Sequence, residues 1–160
     1  MSFQSDLQFG KKAEKLVMNI LEDIFEMQFE DVSDDREYQK QDVDILADFG
    51  KYKIEVKSDR TTTPNIFFET ESNSRYGTQG CMMYTTADIL FYVHYGHEVI
   101  FTIPMDPFRD WVLINRNQFR EVGVGSSYAR GLLIPIEYMK KNIKNIGIIP
   151  ITDEIMRGVM

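Results

Sequence analysis

The sequence predicts a single α/β domain. Three observations lead there. The chain has 160 residues, of which 43% are hydrophobic and 27% charged, the profile of one globular domain rather than of a disordered or collagen-like chain. An amphipathic helical segment stands near the start. Short alternating or apolar runs follow it, punctuated by Gly and Pro, in the order helix, three strands, helix, strand. A chain of this length hides roughly two-thirds of its unfolded surface, enough for a substantial core.

Residues 11–27 carry Val17, Ile20, Leu21 and Ile24 at helical spacing, with Gly10 as the boundary before them. Residues 28–41 are polar and connect. Residues 42–48 and 51–59 alternate around Phe49-Gly50 and predict an antiparallel hairpin. Thr61-Thr62-Thr63-Pro64 breaks the chain, residues 65–70 predict a third strand, and residues 71–80 a turn-rich loop. A short helix over 81–87 leads into a buried strand at 88–95, and after the Gly96 turn comes another at 98–103. Pro104 and Pro107 precede a helix over 108–119. Gly123, Gly125 and Gly131 mark a flexible stretch before the apolar run 132–136. A basic segment at 138–145 and a final apolar strand complete the chain. No repeat or linker divides it, so residues 1–160 read as one domain.

The predicted hairpin carries the chemistry. Asp42 and Asp44 share one face of its first strand, and Glu55 and Lys57 one face of its second. A two-residue Phe49-Gly50 turn sets Asp44 opposite Glu55 and Asp42 opposite Lys57. Facing Cβ atoms lie roughly 4.5–5.5 Å apart, and like charges there are destabilising. A divalent cation removes that conflict, since hard carboxylate oxygens suit Mg²⁺ or Mn²⁺. Lys57 is then placed to orient a water or to neutralise charge on a phosphate. A solvated hairpin face accounts for the same alternation. Glu14 shifts the balance, because it falls on the buried stripe of the first helix, where a carboxylate needs a partner.

With those residues in view, the sequence resembles the PD-(D/E)xK nuclease superfamily, the restriction-endonuclease-like fold. The likeness is carried by Glu14, Val43-Asp44-Ile45-Leu46-Ala47 and Ile54-Glu55-Val56-Lys57. Within the superfamily it is most similar to archaeal-type Holliday junction resolvases and small phage-encoded nucleases, over roughly residues 9–95. The resemblance implies a mixed central sheet flanked by helices, Mg²⁺ (with Mn²⁺ as a substitute) on Asp44 and Glu55, Lys57 as the catalytic lysine and Glu14 as an accessory acid that also meets metal. It implies hydrolysis of DNA phosphodiesters, a branched or junction substrate and a homodimer. An end-processing nuclease, or a binding module that kept the fold without catalysis, are the alternatives. Two departures stand out. Val43 occupies the family's proline position, and Asp42 competes with Asp44 as the strand carboxylate, although the context of Asp44 fits better. Glu69, at the end of the third predicted strand, is a further candidate near the metals.

Charge and compartment complete the expectations. The formal net charge is −7 and the pI near 4.9, which argues against a non-specific nucleic-acid coat protein. Residues 105–147 nevertheless carry a surplus of three positive charges. Arg60, Arg75, Arg130, Lys140, Lys141 and Lys144 are candidates for backbone contacts, with a solvated basic face as the ordinary alternative. His94 and His97 read as turn residues, because no third and fourth zinc ligand accompanies them. No apolar run reaches the ~18 residues of a membrane span, and MSFQSDLQFGKK has no secretory pattern. Cys81, the only cysteine, suits a reducing compartment, so the cytoplasm is expected, that of a bacterial host if the chain is phage-encoded.

Overall fold

The structure, a computed structural model, describes residues 3–125 and 128–159. Helix α1 (Phe3–Asp23) opens the chain. Its buried stripe is Ala13, Leu16, Val17, Ile20 and Leu21. Two expectations are corrected here. Gly10 lies inside the helix, and Ile24 lies just past its end with half its surface exposed.

Six strands form a mixed sheet. In spatial order they are β1 (Phe29–Asp31), β2 (Ile45–Ala47), β3 (Tyr52–Asp59), β6 (Ile89–His94), β7 (Val99–Pro104) and β10 (Gly147–Pro150). The β3–β6 pair is parallel and the others antiparallel. The β2–β3 hairpin has the register expected from its sequence, with Ile45 opposite Ile54 and Ala47 opposite Tyr52. Its turn closes through the Lys51 amide and the Asp48 carbonyl, 3.2 Å apart. Phe49 and Gly50 both have positive φ, 57° and 83°, as a type I′ turn requires.

A second, antiparallel sheet orders as β5 (Thr78–Gln79), β4 (Asn65–Asn73), β9 (Ala129–Pro135) and β8 (Arg120–Val124). The expected arrangement, one sheet flanked by helices, is therefore modified. Helix α1 and the short α6 (Asp153–Arg157) cover one face of the six-stranded sheet, and the second sheet covers the other. The reason lies in β4, which buries Ile66, Phe68 and Thr70 on one side while Phe67 and Glu69 stay half-exposed on the other. Between the sheets these side chains meet Leu90, Tyr92, Phe101 and Ile103. Helices α3 (Cys81–Tyr84), α4 (Met105–Ile114) and α5 (Ile136–Asn142) add Met82, Phe108 and Met139 to that core.

Other boundaries also move. The polar stretch 28–41 contains β1 and the one-turn α2 (Arg36–Gln39). Helix α4 begins before Pro107 and not after it, since a first-turn proline gives up an amide that has no helical partner anyway. The glycine-rich stretch holds β8, and the loop at 71–80 holds the end of β4 and all of β5. Among the described residues, no helix is long and apolar enough to cross a membrane.

Candidate active site

Strand β2 is only three residues long, so it covers only the first part of β3. From Glu55 onward one edge of β3 is left open, and the candidate residues gather along that edge. Asp44 lies one residue before β2. Its amide donates to the Ile54 carbonyl at 2.9 Å, so regular pairing ends before Asp44 faces Glu55. Its carboxylate turns to the open edge, where Oδ2 accepts the Val56 amide at 2.8 Å. A side chain thus takes the place a longer β2 would have filled.

Glu55 and Lys57 point into the layer between the sheets, while Ile54 and Val56 pack on the α1 side. The Lys57 ammonium is 2.5 Å from Glu55 Oε1 and 3.5 Å from Asp42 Oδ2. Asp42 lies outside the strand with φ 53°, a conformation Asp tolerates better than most residues. The Thr85 hydroxyl donates to its carbonyl at 2.7 Å. Thr85 is itself tied down by Arg109, whose guanidinium donates to the Thr85 and Met82 carbonyls at 2.6 and 2.8 Å. Glu14 approaches from α1. It is half-buried and pairs with Lys11 at 3.3 Å.

The electrostatics follow from this crowding. Burial pushes the Glu14 carboxyl up, and the charge of Asp44 pushes it the same way. Burial likewise raises Asp44, against the Val56 amide, Lys57 and Glu55, which hold it down. Burial lifts Glu55 well above the usual carboxylate range, Lys57 opposes that, and Asp44 and Asp42 add to it. Burial alone would lower Lys57, but Glu55 and Asp42 beside it hold the ammonium well above its ordinary value.

Asp42 Oδ2 and Glu55 Oε2 are buried with no hydrogen-bond partner. Asp42 Oδ2 still faces the Lys57 ammonium, whereas Glu55 Oε2 faces no donor; beside carboxyls of raised pKa it belongs to a donor set suited to a hard cation. Asp44 and Glu55 are the residues that could hold it, with Glu14 alongside. Among the described residues, no three His, Cys, Asp or Glu side chains stand as a ready-made cage.

The remaining candidates are placed as follows. Glu69 Oε1 accepts the Cys81 amide at 3.1 Å, at the start of α3. His94 and His97 turn Nε2 to the carbonyls of Thr62 and Thr63 at 3.0–3.1 Å. Asp88 accepts the Lys53 amide at 2.7 Å. Arg60 pairs with Asp6 and lies 4.2 Å over the Phe9 ring. Arg75 lies over Tyr128, and Arg130 is 3.7 Å from Glu121, both toward one end of the second sheet. Lys140 pairs with Glu137 on α5, past the opposite end of β9, with Lys141 and Lys144 exposed nearby. The six basic residues do not form one face. Sequence reasoning missed the clamp that ties Arg109 to Thr85 and Thr85 to Asp42, since contacts across 24 and 43 residues leave no local signal. No family model matches this chain, and neither the curated proteins nor the solved structures yield a significant match.

Proposed function

We propose that the chain is a Mg²⁺-dependent deoxyribonuclease of the PD-(D/E)xK type, built on a restriction-endonuclease-like version of the α/β fold and hydrolysing DNA phosphodiesters. The observation that supports this best is the open edge of β3, where the Asp44 and Glu55 carboxyls gather beside the Lys57 ammonium and Glu55 Oε2 is buried without a hydrogen-bond partner. Asp44 and Glu55 would hold the cation and Glu14 would assist. When bound, the cation supplies Lewis-acid polarisation of the phosphate and a more acidic water. Lys57 supplies a fixed positive charge where negative charge develops on the phosphate. Asp42 keeps that ammonium anchored from its other side, so its position does not depend on Glu55 alone. Branched DNA and a homodimer extend the same reading, since paired cuts across a junction need two sites.

The test is incubation with labelled duplex, single-stranded, flap and four-way DNAs, with and without Mg²⁺. Cleavage is expected only with the metal. Lys57→Ala is expected to lower the rate by roughly 10²–10³-fold, the scale of one lost charge-stabilising donor. Asp44→Ala and Glu55→Ala should lose both cleavage and the heat of Mn²⁺ binding. Full nicking by Glu55→Ala would remove the mechanism. A wild-type protein that takes up no Mn²⁺ would point to a non-catalytic binding module.

A further inference from the structure

The open edge of β3 continues past Lys57 into a cavity of about 300 Å³, the small end of the range for ligand pockets. Its floor is the outer face of the second sheet, where Phe67, Val122 and Leu133 are half-buried. The Phe67 ring spreads across β9 at Gly131, where an added Cβ would meet it at 2.6 Å. Glycine there leaves room for the ring against the backbone, and Phe67 remains partly exposed.

Polar groups form the rim. The Val56 amide points away from β6, toward Asp44, and strand pleating turns the Ser58 amide the same way. No β2 residue stands opposite it, because the pairing stops at Ile54. The Thr61 and Thr63 hydroxyls, 3.1 Å apart, stand on the same rim. Asp59 brings a carboxylate, but its oxygens already accept the Tyr92 hydroxyl at 2.8 Å and the Thr61 amide at 2.7 Å. Tyr92 is both a wall of this cavity and the register partner of Lys57. Asp59 lies two residues beyond Lys57, about 7 Å along the strand. Cavity and candidate site therefore adjoin.

Resting on the nuclease reading, we infer that this cavity is a nucleoside subsite that takes an unpaired base next to the scissile phosphate. The base lies on Phe67, Val122 and Leu133, and the Ser58 amide and the threonine hydroxyls meet sugar and phosphate. Aromatic floors accept any base, because every base has a π-face. A base held in a duplex cannot enter without leaving its stack. The substrate class is accordingly DNA with unpaired nucleotides at the cut, as in flaps, branch points or single strands.

The experiment uses the full chain carrying Lys57→Ala, titrated without metal with a short single-stranded oligonucleotide containing 2-aminopurine. It is repeated with Phe67→Ala or Val122→Glu added. Because Phe67 packs against β9, Val122→Glu on the edge strand is the variant that leaves the core untouched. Circular dichroism checks both folds. The expected result is a 2-aminopurine fluorescence change on binding, weakened roughly 10-fold or more by either variant, the scale of one lost stack. In the otherwise unmodified protein, Val122→Glu should raise KM for single-stranded DNA while kcat changes little. Cleavage with an unchanged KM in Val122→Glu overturns the subsite and leaves the nuclease reading standing. Floor-dependent oligonucleotide binding in a protein that cleaves no DNA removes the nuclease reading and supports the subsite. Equal binding of a fully paired duplex overturns the preference for unpaired bases.

Discussion

At the scale of single residues, the candidate site stores electrostatic cost. Asp44 has a raised pKa because it is buried, with the Asp42 charge adding to this, although the Val56 amide, Lys57 and Glu55 partly offset it. The sign follows from linkage. The unfolded chain releases this proton near pH 4, whereas the folded chain holds it to a higher pH. Stability therefore falls as pH rises from about 4 through the folded-state pKa, and the deficit persists above it. Asp44→Asn keeps an oxygen for the Val56 amide and removes the charge. Without metal, the variant should melt above wild type at pH 8, with the difference closing near pH 4, by calorimetry in chelator. Mn²⁺ should then raise the wild-type Tm and leave the variant unmoved. A variant that melts lower than wild type at pH 8 would show that the Asp44 anion is already satisfied. Of the four candidate residues, Glu55 and Lys57 share a face of β3 and Glu14 lies on α1, as strand alternation and helix spacing, both local rules, predict; Asp44 falls outside β2. The left-handed turn at Asp42 was not legible in the sequence, since Thr85 holds it from across the chain.

At the scale of elements, a short strand makes the site possible. Were β2 longer, it would pair with the Val56 and Ser58 amides and close the edge that Asp44 now occupies. Alternation revealed which side of a strand is apolar, as in β4, but not which sheet receives it. Strands β1 and β8 escaped notice for physical reasons: a Phe-Glu-Asp triplet and a glycine-rich run have little intrinsic β character. Gly80 joins these elements to the site. It lies between β5 and α3, and a Cβ there would meet the Glu69 backbone at 2.6–2.7 Å. Helix α3 leads into Thr85, which holds Asp42, so pushing it from β4 loosens the far side of Lys57. Gly80→Ala should cost about 1–3 kcal/mol, the usual range for overpacking, read as a lower urea midpoint. A midpoint equal to wild type would show that α3 moves freely on β4.

At the scale of the whole molecule, a net charge of −7 opposes a polyanion, and the arrangement of cations decides how strongly DNA can be held. Composition made the basic surplus of residues 105–147 visible. The fold then divided it, with Arg130 toward one end of the second sheet and Lys140, Lys141 and Lys144 beyond the other. Several of these cations are also engaged by carboxylates, Arg130 by Glu121 and Lys140 by Glu137. A single chain would therefore offer a DNA strand few cations at once. Counterion release ties the salt dependence of binding to that number, with a log–log slope near −0.7 per phosphate on single strands and −0.9 on duplex. With the Lys57→Ala protein held metal-free by chelator and single-stranded DNA, the expected slope lies between about −1 and −3. A slope steeper than about −5 would require more neutralised phosphates than one end of the sheet can supply. Sedimentation of the complex at the same salt then separates two causes. A dimer would show that two chains pool their cations across one DNA, as a junction-cutting enzyme needs; a monomer would show that the DNA wraps both ends of the sheet and that the divided cations act together.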